Sequence, residues 1–364
     1  MIKIDKSLPT PIYAQIYEHF RESILSGRMR EGERAPSITE IQSDLGVARE
    51  SAKRALNQLA ADGFVRKIQG KGTFVASRRI ERRFWGFVVP FYTDFYNEAI
   101  VELRQAAGEQ GIVLEHACDH DNWERQVAIV QEFAWRQAEA IIIVPTRDEA
   151  RALDSYRKLS RRHALVLFDH SSIASQLPYV IEDYVLGVRL AMERMIRGGA
   201  RRIAYVRDPL WPSGNPIYHT MEAAYAEVCA DTSEGWTRVF DSPHELSDGM
   251  LRRPEFDALM CVNDRVACLL AGMLRERGVA VPDRVQLAGY HNSELGRFFT
   301  PQITTVGPDL SRMCRLLGEI IRRFKDGEPV EFLQHVVMPR LEDRGTTRQE
   351  PLEDALSGTA MRGA

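Results

Sequence analysis

The chain has 364 residues and a mass of 41.4 kDa, which is two or three domains' worth of sequence. Hydrophobic residues at 44% and charged residues at 27% exclude a mainly disordered chain. The overall charge of -3 conceals a basic segment, residues 1–83 with a net of +6, ahead of an acidic remainder with a net of -9, so the first segment is expected to meet a polyanion.

The start, MIKIDKSLPTPIY, has no apolar stretch of signal-peptide length, and the longest aliphatic run, Ala140–Val144, is far short of the roughly 20 residues of a membrane helix. A cytoplasmic protein with no membrane contact is therefore expected. Five scattered cysteines, none in a CxxC pair, argue against a disulfide framework or a zinc finger.

In chain order, Thr10-Pro11 is expected to open a helix, with Thr10 as its cap, and Ile12, Ile16, Phe20 and Ile24 make its apolar stripe. Ser37 and Glu40 have the spacing of a capping box and start a second, short helix that ends by Leu45-Gly46. A third spans about Ala48–Asp62, with Arg49, Lys53 and Asn57 on one outward face and Gly63 as its stop. Two short strands, Phe64–Ile68 and Thr73–Ala76, are joined by Gln69-Gly70-Lys71-Gly72. Three helices and a ribbon with cations on the third helix and at the ribbon tip describe a winged helix-turn-helix, whose third helix fits a major groove. Taken alone, Arg49, Lys53 and Arg54 are equally compatible with a solvated helix face.

The ordered set Pro36-Ser37, Leu45-Gly46-Val47, Arg49, Ala55-Leu56, Leu59, Gly63 and Gly70-Lys71-Gly72-Thr73-Phe74-Val75 resembles the DNA-binding domain of GntR-type regulators. That resemblance implies operator contacts from Ser37, Thr39, Arg49, Ser51, Lys53, Arg54, Gly70, Lys71 and Gly72. Ala48 stands where the family usually has a capping Ser or Thr, and Thr39 where it often has Arg. Ser77–Arg83 (SRRIERR) is expected to be a linker, either solvated or adding a sequence-independent phosphate contact.

From Trp85 onward, apolar runs alternate with amphipathic helices. Strands are expected at Gly86–Val89, Ile112–His116, Ala140–Val144, Leu165–Phe168, Arg202–Val206, Ala258–Val262 and Val285–Tyr290, with helices between them and a last one at Asp309–Phe324. Such alternation means an α/β domain of parallel sheets, here of a size for two lobes with a cleft at the strands' carboxyl ends. Gly86-Phe87-Val88-Val89-Pro90, the stretch from Gly187 to Val206, Asn263-Asp264, Gly289-Tyr290, Thr304-Thr305-Val306 and Pro339-Arg340-Leu341 resemble the effector domain of LacI-type repressors, which is similar to periplasmic sugar-binding proteins.

This second resemblance implies a small molecule in the interlobe cleft and assigns Asn263 and Asp264 to it, with His219 and His291 at positions the family uses; Tyr96, His120 and Arg147 are further candidates for the cleft. Asn263 and Asp264 are also placed to cap the helix that follows. His219 stands where the family usually has an arginine, and His291 where it has an aspartate. With His116 and His170, these histidines and Arg147 are compatible either with an electropositive pocket for an acidic ligand or with ordinary loop positions. A metal site at His116, Cys118 and His120 is a further, weaker alternative.

Together the two resemblances point to the arabinose-responsive repressor group: residues 1–76 a DNA-binding domain, 77–83 a linker, 84–347 the effector-binding and dimerisation domain, and 348–364 a loose tail. The expected function is a ligand-responsive homodimeric repressor of carbohydrate catabolism that needs no cofactor and binds double-stranded operator DNA. An enzyme using cleft histidines and Asp169 or Asp264 is the competing reading, but nucleophile motifs and phosphate-loop glycines are missing. Replacing Asp264 by Ala is expected to abolish the ligand response and spare DNA binding.

Overall fold

The computed structural model describes residues 4–5, 10–76, 83–170, 176–210, 216–232, 236–330 and 332–349. The expected linker, apart from Arg83, and the tail from residue 350 lie outside the described residues. The chain divides into two compact units, residues 1–83 with 128–138, and residues 84–127 with 139–364.

The first unit contains α1 (Ile12–Leu25), α2 (Ile38–Leu45), α3 (Arg49–Ala61), β1 (Val65–Ile68) and β2 (Gly72–Val75). Ile16, Phe20 and Ile24 from α1, Ile41 from α2, and Ala52, Ala55, Leu56 and Leu59 from α3 form one core. Alanines on α3 let the helices approach closely, and burying each aliphatic side chain contributes about 1.5–3 kcal/mol. Thr10 is not the cap of α1. Pro11 takes that position without a side-chain hydrogen bond, and the Thr10 carbonyl instead accepts from the Gln15 side chain at 2.9 Å. The capping box of α2 is complete: the Ser37 hydroxyl accepts from the Glu40 amide at 3.2 Å, and the Ser37 amide donates to the Glu40 carboxylate at 2.6 Å. The ribbon is wider than two strands, because residues 32–35 lie beside β2, with the Ala35 amide on the Thr73 carbonyl at 2.9 Å and the Val75 amide on the Glu33 carbonyl at 2.8 Å.

The second unit has two lobes. The first lobe is built from β3 (Phe84–Val89), α4 (Asp94–Gly108), β4 (Val113–Cys118), α5 (Trp123–Trp135), β5 (Ala140–Ile143), α6 (Glu149–Ser160), β6 (Ala164–Asp169) and β7 (Tyr179–Glu182). The chain then enters the second lobe through α7 (Tyr184–Arg197), β8 (Ile203–Val206), α8 (Pro216–Thr232), β9 (Arg238–Phe240), α9 (Asp248–Arg252), β10 (Ala258–Cys261), α10 (Asp264–Glu276), β11 (Gln286–Tyr290), α11 (Glu294–Phe298) and β12 (Thr304–Gly307). It returns to the first lobe for α12 (Leu310–Lys325) and β13 (Gln334–Val337), and ends in the second with β14 (Arg340–Glu342).

The sheet orders are β13-β7-β6-β5-β3-β4 and β14-β12-β11-β10-β8-β9. Every pairing in them is parallel except β12 with β14. The central strands, such as Ala140–Ile143 and Ala258–Cys261, are fully buried, as strands covered by helices on both faces must be. The seven expected strands are present with ends shifted by a residue or two. β7, β9, β12, β13 and β14 are additional, and four of these, all but β9, flank the crossings between lobes at Asp183, Pro308-Asp309 and Met338-Pro339. Packing at the lobe boundary is close. A Cβ on Gly187 of α7 would lie 1.9 Å from the Tyr290 hydroxyl, so only glycine fits there.

Candidate functional site

In the first unit, α3 begins at Arg49 behind Ala48, which offers no side-chain cap. Arg49, Lys53, Arg54 and Thr39 are exposed, as are Gly70, Lys71 and Gly72 at the ribbon tip, while Ser51 is half-buried. Gly70 at φ +74° and Gly72 at φ +115° hold conformations that suit glycine, which keeps the tip thin. The cations are not equivalent. The Arg54 guanidinium lies over the Tyr13 ring, 3.8 Å from its centroid, and Lys53 lies 3.6 Å from Glu50 of the same helix. Ser37 serves α2 as its cap, so its hydroxyl is already engaged.

In the second unit, the segment that follows β3 and opens α4 faces the carboxyl ends of β8, β10 and β11, and a cavity of about 310 Å³ lies between them. Its walls include Phe91, Phe95, Asp208, Asn263, Arg265 and His291. Asn263 caps α10: its Oδ1 accepts from the Val266 amide at 2.9 Å, and its Nδ2 donates to Asp208 at 2.8 Å. Asp208 is buried and gripped by Arg265 through Nε at 3.1 Å and through a second, shorter bond from the other arm. Burial pushes the Asp208 carboxyl up, but Arg265, Asn263 and the Leu210 amide outweigh it and hold it below the usual range. The His291 ring stacks on Phe95, with centroids 4.9 Å apart, and burial lowers its pKa to about 4, so the ring is neutral at pH 7. The Tyr96 hydroxyl donates to Asp169 at 2.8 Å, and the Tyr184 hydroxyl donates to the same carboxylate.

Of the two readings of the histidines, the ordinary loop positions fit better than an electropositive pocket. His120 and Arg147 lie on the exposed rim, where Arg147 pairs with Asp121 at 2.9 Å. His219 is on the exposed face of α8, and the neighbouring Tyr218 instead turns inward to hydrogen-bond Asn263. One helical residue is a turn of about 100°, so the one-residue difference in register decides which side chain meets the cleft. The first cavity is bordered by Asp94, Asp208 and Asp264 against the single guanidinium of Arg265. His116 bonds the Tyr92 hydroxyl at 3.2 Å and the Cys118 thiol bonds the Pro90 carbonyl at 3.2 Å. Among the described residues, no group of three or more His, Cys, Asp or Glu is placed to hold a metal ion.

Asp264, assigned to the ligand from its sequence, lines this cavity and is at the same time held by the surrounding fold. It is 1% exposed, accepting from the Ser293 amide at 2.6 Å and from the Thr305 hydroxyl at 2.5 Å. Asp208 and Arg265 were not singled out from the sequence. Asp208 lies two residues past the end of β8, so the strand-end rule alone was the signal that could have found it.

The titrations have a net sign. Burial pushes Asp264 and Asp119 up to about 7 and holds Glu182 well above its ordinary range. Each of these carboxyls stays protonated in the fold where the unfolded chain, near 3.8 or 4.5, has released its proton. Their contribution is complete below about pH 4 and is lost as pH rises. His291 acts oppositely, gaining between about pH 4 and 6.5, and so, below 6.5, do His19 and His116, whose pKa burial also lowers. Unfolding free energy is therefore expected to fall from pH 5 to 6 by about 1.4 kcal/mol for each uncompensated proton. Urea titrations followed by tryptophan fluorescence will check this, and a midpoint that climbs over that interval contradicts it.

Residues 12–75 match the family model described as bacterial regulatory proteins, gntR family, and residues 192–347 match the periplasmic binding protein-like domain. The arabinose metabolism transcriptional repressor of Geobacillus stearothermophilus is 25% identical, over 95% of this chain and 99% of its own. The HTH-type transcriptional repressor PurR of Vibrio atlanticus is 24% identical, over 70% and 78% of the two chains. A periplasmic binding protein/LacI transcriptional regulator from Alkaliphilus metalliredigens, solved with D-xylulofuranose, superposes with a TM-score of 0.61 at 19% identity, covering 73% of this chain and all of that one. No helix among the described residues is long and apolar enough to cross a membrane. The named relatives are regulators, and this chain is a DNA-binding transcriptional regulator whose residues 12–75 match the gntR-family model and whose residues 192–347 match the periplasmic binding protein-like model.

Proposed function

We propose that this regulator is a cytoplasmic, homodimeric repressor of carbohydrate-use genes, released from its operator by a small molecule bound between the lobes. The division 1–76, 77–83, 84–347 and 348–364 is part of the proposal. The observation that carries it is the convergence of strand ends from both lobes on the cavity bounded by Phe95, Asp208, Asn263 and Arg265. The names of the relatives support the carbohydrate assignment, since one is an arabinose metabolism repressor and one solved neighbour holds D-xylulofuranose.

In this reading Arg49, Lys53 and Lys71 face the DNA, and Asp208 and Arg265 take over the polar contacts expected of His219 and Asp264. Three chain crossings between the lobes make a hinge, and a ligand that prefers one hinge angle shifts the spacing of the two DNA-binding heads. It shifts that balance only by its difference in affinity for the two states.

Asp208→Asn keeps the side chain's shape but removes the charge that holds Arg265 and Asn263 in place. Operator affinity is expected to be unchanged, while the sugar concentration for half-release rises by about tenfold. A gel-shift titration with D-arabinose, D-xylulose and D-ribose tests this. Release of the variant at the wild-type concentration would remove Asp208 from the effector site.

A further inference from the structure

The cleft contains a second cavity, of about 500 Å³, on the side of the hinge strands. It shares no lining residue with the first cavity. Thr146 follows β5, Asp169 ends β6, and Glu182 ends β7, so three adjacent strands deliver polar side chains to one place. Ile181, Ile217 and Val336 supply apolar wall.

Two of these polar groups are buried without a partner. Thr146 is 1% exposed and its Oγ1 makes no hydrogen bond with the described residues. Glu182 is 4% exposed; its Oε1 accepts from the Tyr290 hydroxyl at 2.8 Å, and its Oε2 has no partner among the described residues. Buried polar side-chain atoms are nearly always hydrogen-bonded, so two orphans lining one cavity indicate a missing ligand with donor groups. The surrounding charge indicates its sign. Glu149, Asp169, Glu182 and Asp183 line the space, against Arg147 and His170. Arg147 is paired with Asp121 at 2.9 Å, and His170 lies 3.4 Å from Asp169. An anion entering here would meet an excess of carboxylates, whereas an ammonium group would give Glu182 Oε2 the charged donor it lacks. Burial holds the Glu182 carboxyl well above its ordinary range, and an adjacent cation is what restores its ionised form.

We propose that this hinge-side cavity binds an ammonium-bearing, polyhydroxylated ligand, with Glu182 receiving the ammonium and Thr146 a hydroxyl. The inference rests on the reading of the cleft as the effector site and adds the chemical class that its second compartment selects.

The test is calorimetric titration of the full chain with D-glucosamine, N-acetyl-D-glucosamine, D-glucose and D-glucose 6-phosphate. D-Glucosamine is expected to bind, and acetylation of the amine, its removal, or addition of a phosphate to weaken binding by about tenfold or more. Glu182→Gln and Thr146→Val, both close in shape to the originals, are each expected to weaken D-glucosamine by about tenfold. The proposal is overturned if D-glucosamine binds no more tightly than D-glucose, or if both hinge-side variants bind it as the wild type does. Failure here is separable from failure of the effector reading: operator release by a neutral sugar, lost in Asp208→Asn, stands whether or not any amine binds.

Discussion

Arg49→Ala is expected to weaken specific operator binding by about 1–3 kcal/mol, the value of one good bidentate contact to a base edge. Arg49 is the first residue of α3, and the recognition helix of such a motif contacts bases chiefly through its N-terminal residues. The other basic positions serve as internal controls. Arg54 lies on the Tyr13 ring, so Arg54→Ala should reduce stability more than specificity. Lys71 sits at the ribbon tip, so Lys71→Ala should weaken all duplexes alike and lower the salt slope by about one unit. Arg49→Lys should recover little, because a point charge does not replace the planar fork. The measurement is a gel-shift titration at fixed salt with operator and scrambled duplexes side by side. An unchanged ratio between the two in Arg49→Ala would take the recognition role away from this residue.

The parts of the fold that were legible from sequence have strong local signals. The Ile12, Ile16, Phe20, Ile24 stripe, the Ser37–Glu40 capping box and the run Ala140–Ile143 each declare their element without reference to the rest of the chain. The strands that were not legible are short and depend on distant partners. β9 is the tripeptide Arg238-Val239-Phe240, β13 pairs with β7 across about 150 residues of chain, and β14 exists because β12 presents an open edge. Local periodicity has nothing to say about such pairings. The same division runs through the cleft. Asn263 was legible because it ends a strand and caps a helix, but the Asp208–Arg265 grip joins residues 57 positions apart, and neither has a distinctive neighbourhood. His219 illustrates the cost of a one-residue register difference on a helix, where Tyr218 holds the inward position.

Asp264→Ala is expected to lower the stability of the two-lobed unit by about 2–4 kcal/mol, rather than to remove a ligand contact from an otherwise intact fold. The carboxylate accepts from the Ser293 amide and the Thr305 hydroxyl, tying the start of α10 to the start of α11 and to β12. Its surroundings are shaped to it: a Cβ on Gly289 would lie 2.2 Å from Oδ1, and one on Gly296 would lie 3.1 Å from Oδ2. Truncation leaves the buried Ser293 amide without its acceptor and the Thr305 hydroxyl with only its longer bonds to the Asn292 amide and the Val306 carbonyl, in a space that these glycines cannot fill. Asp264→Asn has a different expected result. Its Oδ1 can accept from the Ser293 amide while its Nδ2 donates to the Thr305 hydroxyl, so it should stay within about 1 kcal/mol of the wild type. It should also remove one of the carboxyls whose protonation makes stability fall between pH 5 and 7. Thermal denaturation of the full chain separates the cases. For a unit of this size, each 1 kcal/mol shifts the midpoint by about 2–4 °C, so the Ala variant should melt roughly 4–16 °C lower and the Asn variant close to the wild type. An Asp264→Ala protein that melts with the wild type yet no longer responds to sugar would return this carboxylate to the ligand and take it out of the core.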